Sequence, residues 1–130
     1  MTSPISSLIE SQHAAIYAYG IIAAYAPTSS ALDDMAIHRR MRDELIQFAD
    51  LNSLDIPVAQ PAYQIPLPVR DEATAKSAAT VIENLLCAHW SQSMHELDPG
   101  FASMHVQFPI DCAVRAYAYS GQFFAFPGSN

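Results

Sequence analysis

Cysteine is scarce in this chain, which has only two among its 130 residues, Cys87 and Cys112. They lack the short paired spacing of a zinc site or of a thioredoxin-type redox centre. A cysteine outside such a motif usually serves as a small buried apolar side chain. We therefore expect two buried free thiols, in a domain long enough to form a core without disulfides or metal.

Positive charge is scarce as well. Only six residues are Lys or Arg, against thirteen Asp or Glu, and the formal net charge is -7. Such a chain repels nucleic acid and anionic lipid, and it has few side chains with which to build a phosphate-binding patch. We therefore expect no nucleic-acid partner.

Long apolar runs are also missing, although 51% of the residues are hydrophobic. No run approaches the roughly 18 to 20 apolar residues of a membrane span, and residues 1–5 lack the basic flank and apolar centre of a signal peptide. We expect a cytoplasmic protein with no membrane partner, in which residues 1–130 form a single domain.

Apolar residues do recur at helical spacing, in four stretches, which predicts an all-α fold. The predicted helices cover about residues 4–25, 31–54, 72–94 and 99–120. The first and fourth begin with a capping residue followed by proline, which suits the first helical turn because its missing N–H has no partner there. Pro109 lies inside the fourth stretch and should kink or break that helix.

Prolines at positions 57, 61, 66 and 68 separate the second and third helices. They exclude a helix over Asp55–Arg70 and favour an extended or polyproline II chain. At about 3.1 Å per residue the segment reaches roughly 50 Å, enough to run the length of a helix of about 24 residues. The sequence therefore predicts a four-helix bundle with a long proline-rich crossover, in which helices 2 and 3 are parallel.

Polar residues interrupt the apolar stripe of every helix. Counting residues from each turn, at about 1.5 Å of rise per residue, places these interruptions at one height in the bundle. The layer would contain Gln12, Arg42 with Asp43, Glu83, and Asp111 with Arg115. His13 adjoins this layer and His38 lies on the apolar face of helix 2. We take these eight residues as the candidate polar core cluster.

Several short motifs resemble a bacterial family of ferritin-like domains of unknown function. They are HAAIYAYG at 13–20, His38 followed by Arg42-Asp43, PAY at 61–63, LPV at 67–69 with Asp71, Glu83 with Trp90, and AVRA at 113–116. The resemblance covers nearly the whole chain and implies a ferritin-like four-helix bundle. This chain departs from the family at Gln12, where the family carries Glu, and at Pro109, where it usually has no proline.

Ferritin-like enzymes bind two metal ions through a Glu from each of two helices and a Glu-x-x-His motif from each of the other two. The sequence fails this pattern, because the residues three places after Asp43 and Asp111 are Ile46 and Val114. We therefore expect no cofactor. The alternative is a di-iron or di-manganese site with Glu83, Asp111 and His38 as ligands.

Carboxylates that meet at one height need counter-ions to remain ionised. We predict that Arg42 and Arg115 neutralise the carboxylates of Glu83, Asp111 and Asp43. The leading functional hypothesis is then a metal-free module that binds a small molecule or a protein.

Two other functions are compatible with these patterns. One is a carboxylate-bridged di-metal oxidoreductase. The other is a structural subunit of a homodimer, because the C-terminal residues Phe123, Phe124 and Phe126 are too apolar for a solvated tail. We expect a homodimer that buries part of this tail.

Overall fold

The computed structural model describes residues 3–26 and 29–121, and residue 29 by its backbone only. All regular structure over these ranges is helical, which confirms the predicted all-α class. The helices are α1 Pro4–Tyr25, α2 Ser29–Leu51, α3 Glu72–Ser93, α4 Pro99–Met104 and α5 Gln107–Ser120, with a short 3-10 helix at Met94–Glu96. None of the described helices combines the length and the apolar character needed to cross a membrane.

Side-chain caps start three of the helices. The Ser3 hydroxyl accepts a hydrogen bond from the Ser6 backbone N–H across 3.1 Å, and Asp98 does the same for the first turn of α4. Asp71 and Thr74 form a reciprocal capping box at the start of α3. Each cap satisfies backbone N–H groups that have no partner inside the helix, so the local sequence determines where these helices begin.

The predicted fourth helix is two helices, separated at residues 105 and 106. Pro109 is the third residue of α5, where it lacks the N–H that would bond the His105 carbonyl. That carbonyl instead accepts a hydrogen bond from the Phe108 N–H at 3.1 Å. The break follows from the proline ring, which cannot continue the preceding helix without a clash.

The helices form a bundle in which α1 lies against α2 and α3, and α3 lies against α5. A hollow at one end is lined by Pro4 of α1, Phe48 of α2 and Leu97, which follows α3. A hollow at the other end is lined by Asp34 of α2 and Lys76 of α3. The first hollow lies at the C-terminal ends of α2 and α3, and the second lies at their N-terminal ends. These two helices are therefore parallel.

Residues 52–71 connect α2 to α3 without regular secondary structure. The segment contacts α1 at its start, where the Ser6 hydroxyl donates to the Asp55 carbonyl. It contacts α1 again further along, where the Tyr63 ring packs 6.1 Å from the ring of Tyr17. The segment thus lies against α1 at two separate places along that helix.

Candidate functional site

A group of buried polar side chains lies at the centre of the bundle. We call it the core polar cluster, and its members are Gln12 and Tyr19 of α1, His38 of α2, Glu83 of α3 and Arg115 of α5. The side chains of Gln12, Tyr19, His38 and Glu83 are completely buried. Burying several polar groups together is costly unless each finds a partner, so their hydrogen bonds decide what the cluster can do.

Glu83 is the centre of this cluster. Its Oε1 accepts a hydrogen bond from Arg115 Nε at 3.0 Å. Its Oε2 accepts one from the Tyr19 hydroxyl at 2.6 Å and one from His38 Nε2 at 2.7 Å. Both carboxylate oxygens are therefore occupied by donors from three other helices.

These donors keep Glu83 ionised. Burial by itself raises the pKa of Glu83, because it removes the carboxylate from water. The charge and hydrogen bond of His38, followed by Arg115 and the Tyr19 hydroxyl, outweigh burial and bring the pKa below its ordinary value. Glu83 is thus a charged acceptor and not a general acid.

His38 lies between Gln12 and Glu83, and each of its ring nitrogens faces an oxygen. Nδ1 is 3.0 Å from Gln12 Oε1, and Nε2 is 2.7 Å from Glu83 Oε2. The contact with the ionised Glu83 carboxylate, which can only accept, requires a proton on Nε2. The Gln12 amide nitrogen, Nε2, is buried and has no hydrogen-bond partner within the described ranges.

Arg115 reaches the cluster from α5 and is held on three sides. Besides its bond to Glu83, its Nη2 is 3.2 Å from Cys112 Sγ, and its guanidinium carbon lies 5.5 Å from the centre of the Phe108 ring. Burial lowers the pKa of Arg115, but the charge of Glu83 outweighs it and holds the pKa above its ordinary value. The guanidinium is therefore charged at neutral pH.

Cys112 is a buried thiol that adjoins Arg115 and Glu83. Burial raises the pKa of this thiol well above its ordinary value, and the Glu83 charge raises it further. The thiolate is the reactive form of cysteine, so Cys112 is not a nucleophile here. Both cysteines are buried and free, as the sequence predicts.

A second hydrogen-bonded pair lies beside the cluster, towards the C-terminal end of α5. The Tyr119 hydroxyl donates to Asp34 Oδ2 at 2.6 Å. The Tyr119 ring lies 6.3 Å from the ring of Tyr19. Burial raises the pKa of both tyrosines, so both are neutral donors. The polar contacts thus extend from buried Glu83 towards half-buried Asp34.

The predicted places of Arg42 and Asp43 need correction. They pair with each other, Nε to Oδ1 at 3.0 Å, with side chains 27% and 66% exposed. Met41 is buried at the core position of this turn. Because successive helical residues point about 100° apart, Arg42 turns away from the core once Met41 faces it. Neither Arg42 nor Asp43 reaches Glu83.

Asp111 also lies outside the cluster. It accepts a hydrogen bond from Gln107 Nε2 at 3.0 Å on the exposed side of α5. The break before α5 changes the phase of the helix, so that Phe108, Cys112 and Ala116 face the core instead. Arg115 therefore neutralises Glu83 without Asp111, and the predicted network of three carboxylates is reduced to one.

The remaining histidines are dispersed. His13 is buried, but its Nε2 lies 3.3 Å from the Pro57 carbonyl, on the side of α1 that faces residues 52–71. His89 contacts Ser11, and His105 contacts Glu44. Within residues 3–26 and 29–121, no three His, Cys, Asp or Glu side chains form a group that could hold a metal ion.

The three candidate metal ligands do not surround a common site. Glu83 and His38 are hydrogen-bonded to each other, and Asp111 lies outside the cluster. The Arg115 Nε lies 3.0 Å from Glu83 Oε1. Metal ligation requires free carboxylate oxygens and a neutral imidazole nitrogen. The residues present therefore do not fit a dinuclear iron or manganese centre.

Sequence reasoning missed Tyr19 as a member of the cluster. Tyr19 follows Gln12 by seven residues and therefore lies on the same face of α1, two turns later. Tyr119 follows Arg115 by four residues and lies on the same face of α5. A tyrosine hydroxyl needs a hydrogen-bond partner when it is buried. A tyrosine on a core-facing stripe that also carries polar residues therefore indicates membership of a polar cluster.

Comparisons with known proteins identify a family. A family model described as a domain of unknown function, DUF4439, matches residues 5–130. The crystal structure of a conserved hypothetical protein, rv2844, from Mycobacterium tuberculosis matches with a TM-score of 0.83 and 24% identity, over 91% of this chain and 92% of that one. That likeness shows a common fold. No curated protein matches. These descriptions do not name a ferritin-like protein, but they agree with the predicted membership of a family of unknown function: the chain belongs to the DUF4439 family.

Proposed function

We propose that this protein is a metal-free ferritin-like bundle that acts by binding a partner molecule and not by redox chemistry. The observation that carries the proposal is the occupation of both Glu83 oxygens. Arg115 takes Oε1, and His38 and Tyr19 share Oε2. A metal would have to displace the largely buried Arg115 guanidinium and the hydrogen-bonded His38 imidazole to reach this carboxylate, which is the one carboxylate in the cluster.

The ferritin-like part of the proposal is supported by the arrangement of the helices. Ferritin-like bundles have one long crossover connection, and their sites lie between facing helices. Residues 52–71 contact α1 at Ser6 and again at Tyr17, and they join the parallel helices α2 and α3. We propose that this segment is the proline-rich crossover, and that the core polar cluster takes the place of the dinuclear centre.

Metal analysis tests the proposal. The protein is produced without chelators, incubated with Fe(II) or Mn(II) under anaerobic conditions, dialysed, and analysed for bound metal together with its melting temperature. We expect no stoichiometric metal and no rise in melting temperature. About two retained ions per chain that stabilise the fold would contradict the proposal, because a ligand that binds only the native state must stabilise it.

Two variants make the metal test specific. Glu83→Gln removes the candidate ligand, and His95→Ala removes an exposed histidine that could hold metal adventitiously. Metal that is lost in His95→Ala but kept in Glu83→Gln is a surface contaminant and leaves the proposal standing. Loss of the metal only in Glu83→Gln would show that the metal binds in the core polar cluster, and it would overturn the proposal.

We also propose, as a second function, a structural role as the subunit of a homodimer. The observation that favours it is an exposed apolar stripe formed by Val106, which precedes α5, and by Ile110 and Val114 of α5. Their side chains are 55%, 41% and 52% exposed. A helix that is apolar on both sides usually has a partner on each side. A stable interface buries roughly 800 Å² per subunit, so the proposed interface also includes Phe123–Phe126, which lie outside the described residues.

Light scattering after gel filtration, over a range of protein concentrations, tests the homodimer. Ile110→Glu places a charge in the middle of the stripe and should shift the molar mass from dimer towards monomer. Val58→Glu is the matched control, because Val58 is 81% exposed on the segment between α2 and α3. A wild-type protein that is monomeric at the highest concentration would exclude this role.

A further inference from the structure

A groove lies between α1, α3 and the segment that joins α2 to α3. Its volume is about 270 Å³. Its walls are mainly apolar, and the side chains that form them include Ala14, Ala18, Ile82, Leu85, Leu86 and Pro66. None of these residues belongs to the core polar cluster, so the groove is a separate site.

The size of the groove suits a small molecule. An apolar cavity of about 150 Å³ is large enough to hold benzene. Drug-sized ligands occupy pockets of roughly 300 to 1,000 Å³ that are lined mostly by apolar side chains with a few polar groups. At about 270 Å³ the groove can accept one ring with a substituent, or a short branched chain.

Ser11 of α1 and His89 of α3 provide a polar pair in the groove lining. The Ser11 hydroxyl lies within hydrogen-bond distance of His89 Nδ1 and of the Ser7 carbonyl, the latter at 3.2 Å. We assign the single Ser11 proton to the Ser7 carbonyl, the i–4 bond that serines commonly make inside helices, so that the hydroxyl oxygen accepts from His89 Nδ1–H. This assignment places the ring proton of His89 on Nδ1.

Burial lowers the pKa of His89, so the ring is neutral at pH 7. A neutral imidazole with its proton on Nδ1 keeps Nε2 as a hydrogen-bond acceptor. The lining of the groove therefore combines apolar side chains with a histidine whose Nε2 can accept a hydrogen bond. The net charge of -7 makes the protein a poor host for anions.

We propose that this groove binds a small uncharged molecule with an aromatic or branched aliphatic body and one hydroxyl group, which donates a hydrogen bond to His89 Nε2. The body of the ligand fills the space between Ala18 and Leu86, and the hydroxyl end lies towards His89. The proposal rests on the proposed binding function and names the class of ligand.

Phenol and toluene are the probes, because they share a ring and differ in the hydroxyl. Binding to the intact protein at pH 7 is followed by the chemical shifts of backbone amides in α1 and α3. We expect phenol to bind roughly three- to tenfold more tightly than toluene, the effect of one net hydrogen bond. His89→Phe should remove this difference but keep binding of toluene, and His95→Phe, an exposed control, should leave both affinities unchanged.

A second variant locates the ligand. Ala18→Leu fills the groove and should abolish binding of both probes, so unaltered binding in this variant would overturn the proposal. Equal affinities for phenol and toluene in the wild-type protein would also overturn it. Metal analysis of the same sample distinguishes failure of this proposal from failure of the proposed function: a metal-free protein that binds neither probe contradicts only the ligand assigned to the groove.

Discussion

Arg115 of α5 donates its Nε–H to Oε1 of Glu83 of α3 across 3.0 Å, inside the core of the bundle. The Glu83 side chain is fully buried and that of Arg115 is 13% exposed. A buried pair of this kind contributes modestly to net stability, since desolvation offsets much of the attraction. Removing one partner is costly, however, because the other charge is then buried alone.

Arg115→Ala should therefore lower the free energy of unfolding by about 3 to 5 kcal/mol. Arg40→Ala is the matched control, because Arg40 is exposed on α2 and its loss should change stability by less than about 0.5 kcal/mol. Urea denaturation followed by circular dichroism measures both. Equal midpoints for the two variants would show that Arg115 makes no buried ion pair in solution.

Glu83 should make the protein less stable in acid. Its pKa in the folded protein is below the ordinary value of 4.5, so the unfolded chain takes up a proton at this site before the folded protein does. The stabilisation is complete above the unfolded pKa and is lost as the pH falls through the lower folded value. The free energy of unfolding, measured by urea denaturation at a series of pH values from 6 to 3, should fall less steeply with decreasing pH for Glu83→Gln than for wild type. Glu96→Gln, which changes an exposed carboxylate, should keep the wild-type slope.

Tyr19→Phe removes a hydroxyl that donates to a buried carboxylate at 2.6 Å. A hydrogen bond to a charged group contributes about 1.5 to 3 kcal/mol, and we expect a loss of that size. Tyr25→Phe makes the same chemical change at a side chain that is 44% exposed, and it should have little effect. Thermal melts of the two variants side by side provide the comparison, and similar melting temperatures would refute the assigned role of Tyr19.

Asp43→Asn and Asp111→Asn should each change stability by less than about 0.5 kcal/mol, because both carboxylates lie on the exposed side of their helices. Glu83→Gln should be far more destabilising, since it removes the charged acceptor to which Arg115 and His38 are hydrogen-bonded. A large loss of stability in Asp111→Asn would indicate that the Asp111 carboxylate is buried in the core polar cluster.

The secondary structure was largely predictable because its signals are local. Capping residues at Ser3, Asp71 and Asp98 satisfy the first N–H groups of three helices, and prolines exclude a helix over residues 55–70. The break at Pro109 also follows from a single ring and a single missing N–H. Each of these effects acts within about four residues, so a sequence read by itself contains them.

The membership of the core cluster was only half predictable. Gln12, Glu83 and Arg115 interrupt apolar stripes, and a polar residue in a stripe must find a partner, so their burial could be inferred. His38 could be placed on the core face of α2 by the same periodicity. Which partner each residue takes depends on the heights and rotations of four helices, and counting residues along the chain estimates these only to about one turn.

Tertiary structure decided the chemistry of the site. The rotation of α2 places Met41 in the core and leaves Arg42 partly exposed beside it, and the phase of α5 after its break places Cys112 in the core and Asp111 outside. A shift of one residue turns a side chain by about 100°, which is enough to exchange a buried carboxylate for a solvated one. The sequence by itself determined that a polar layer exists in a helical bundle. Only the packing of the four helices determined that the layer contains one carboxylate, with both of its oxygens already bonded to donors from the chain itself.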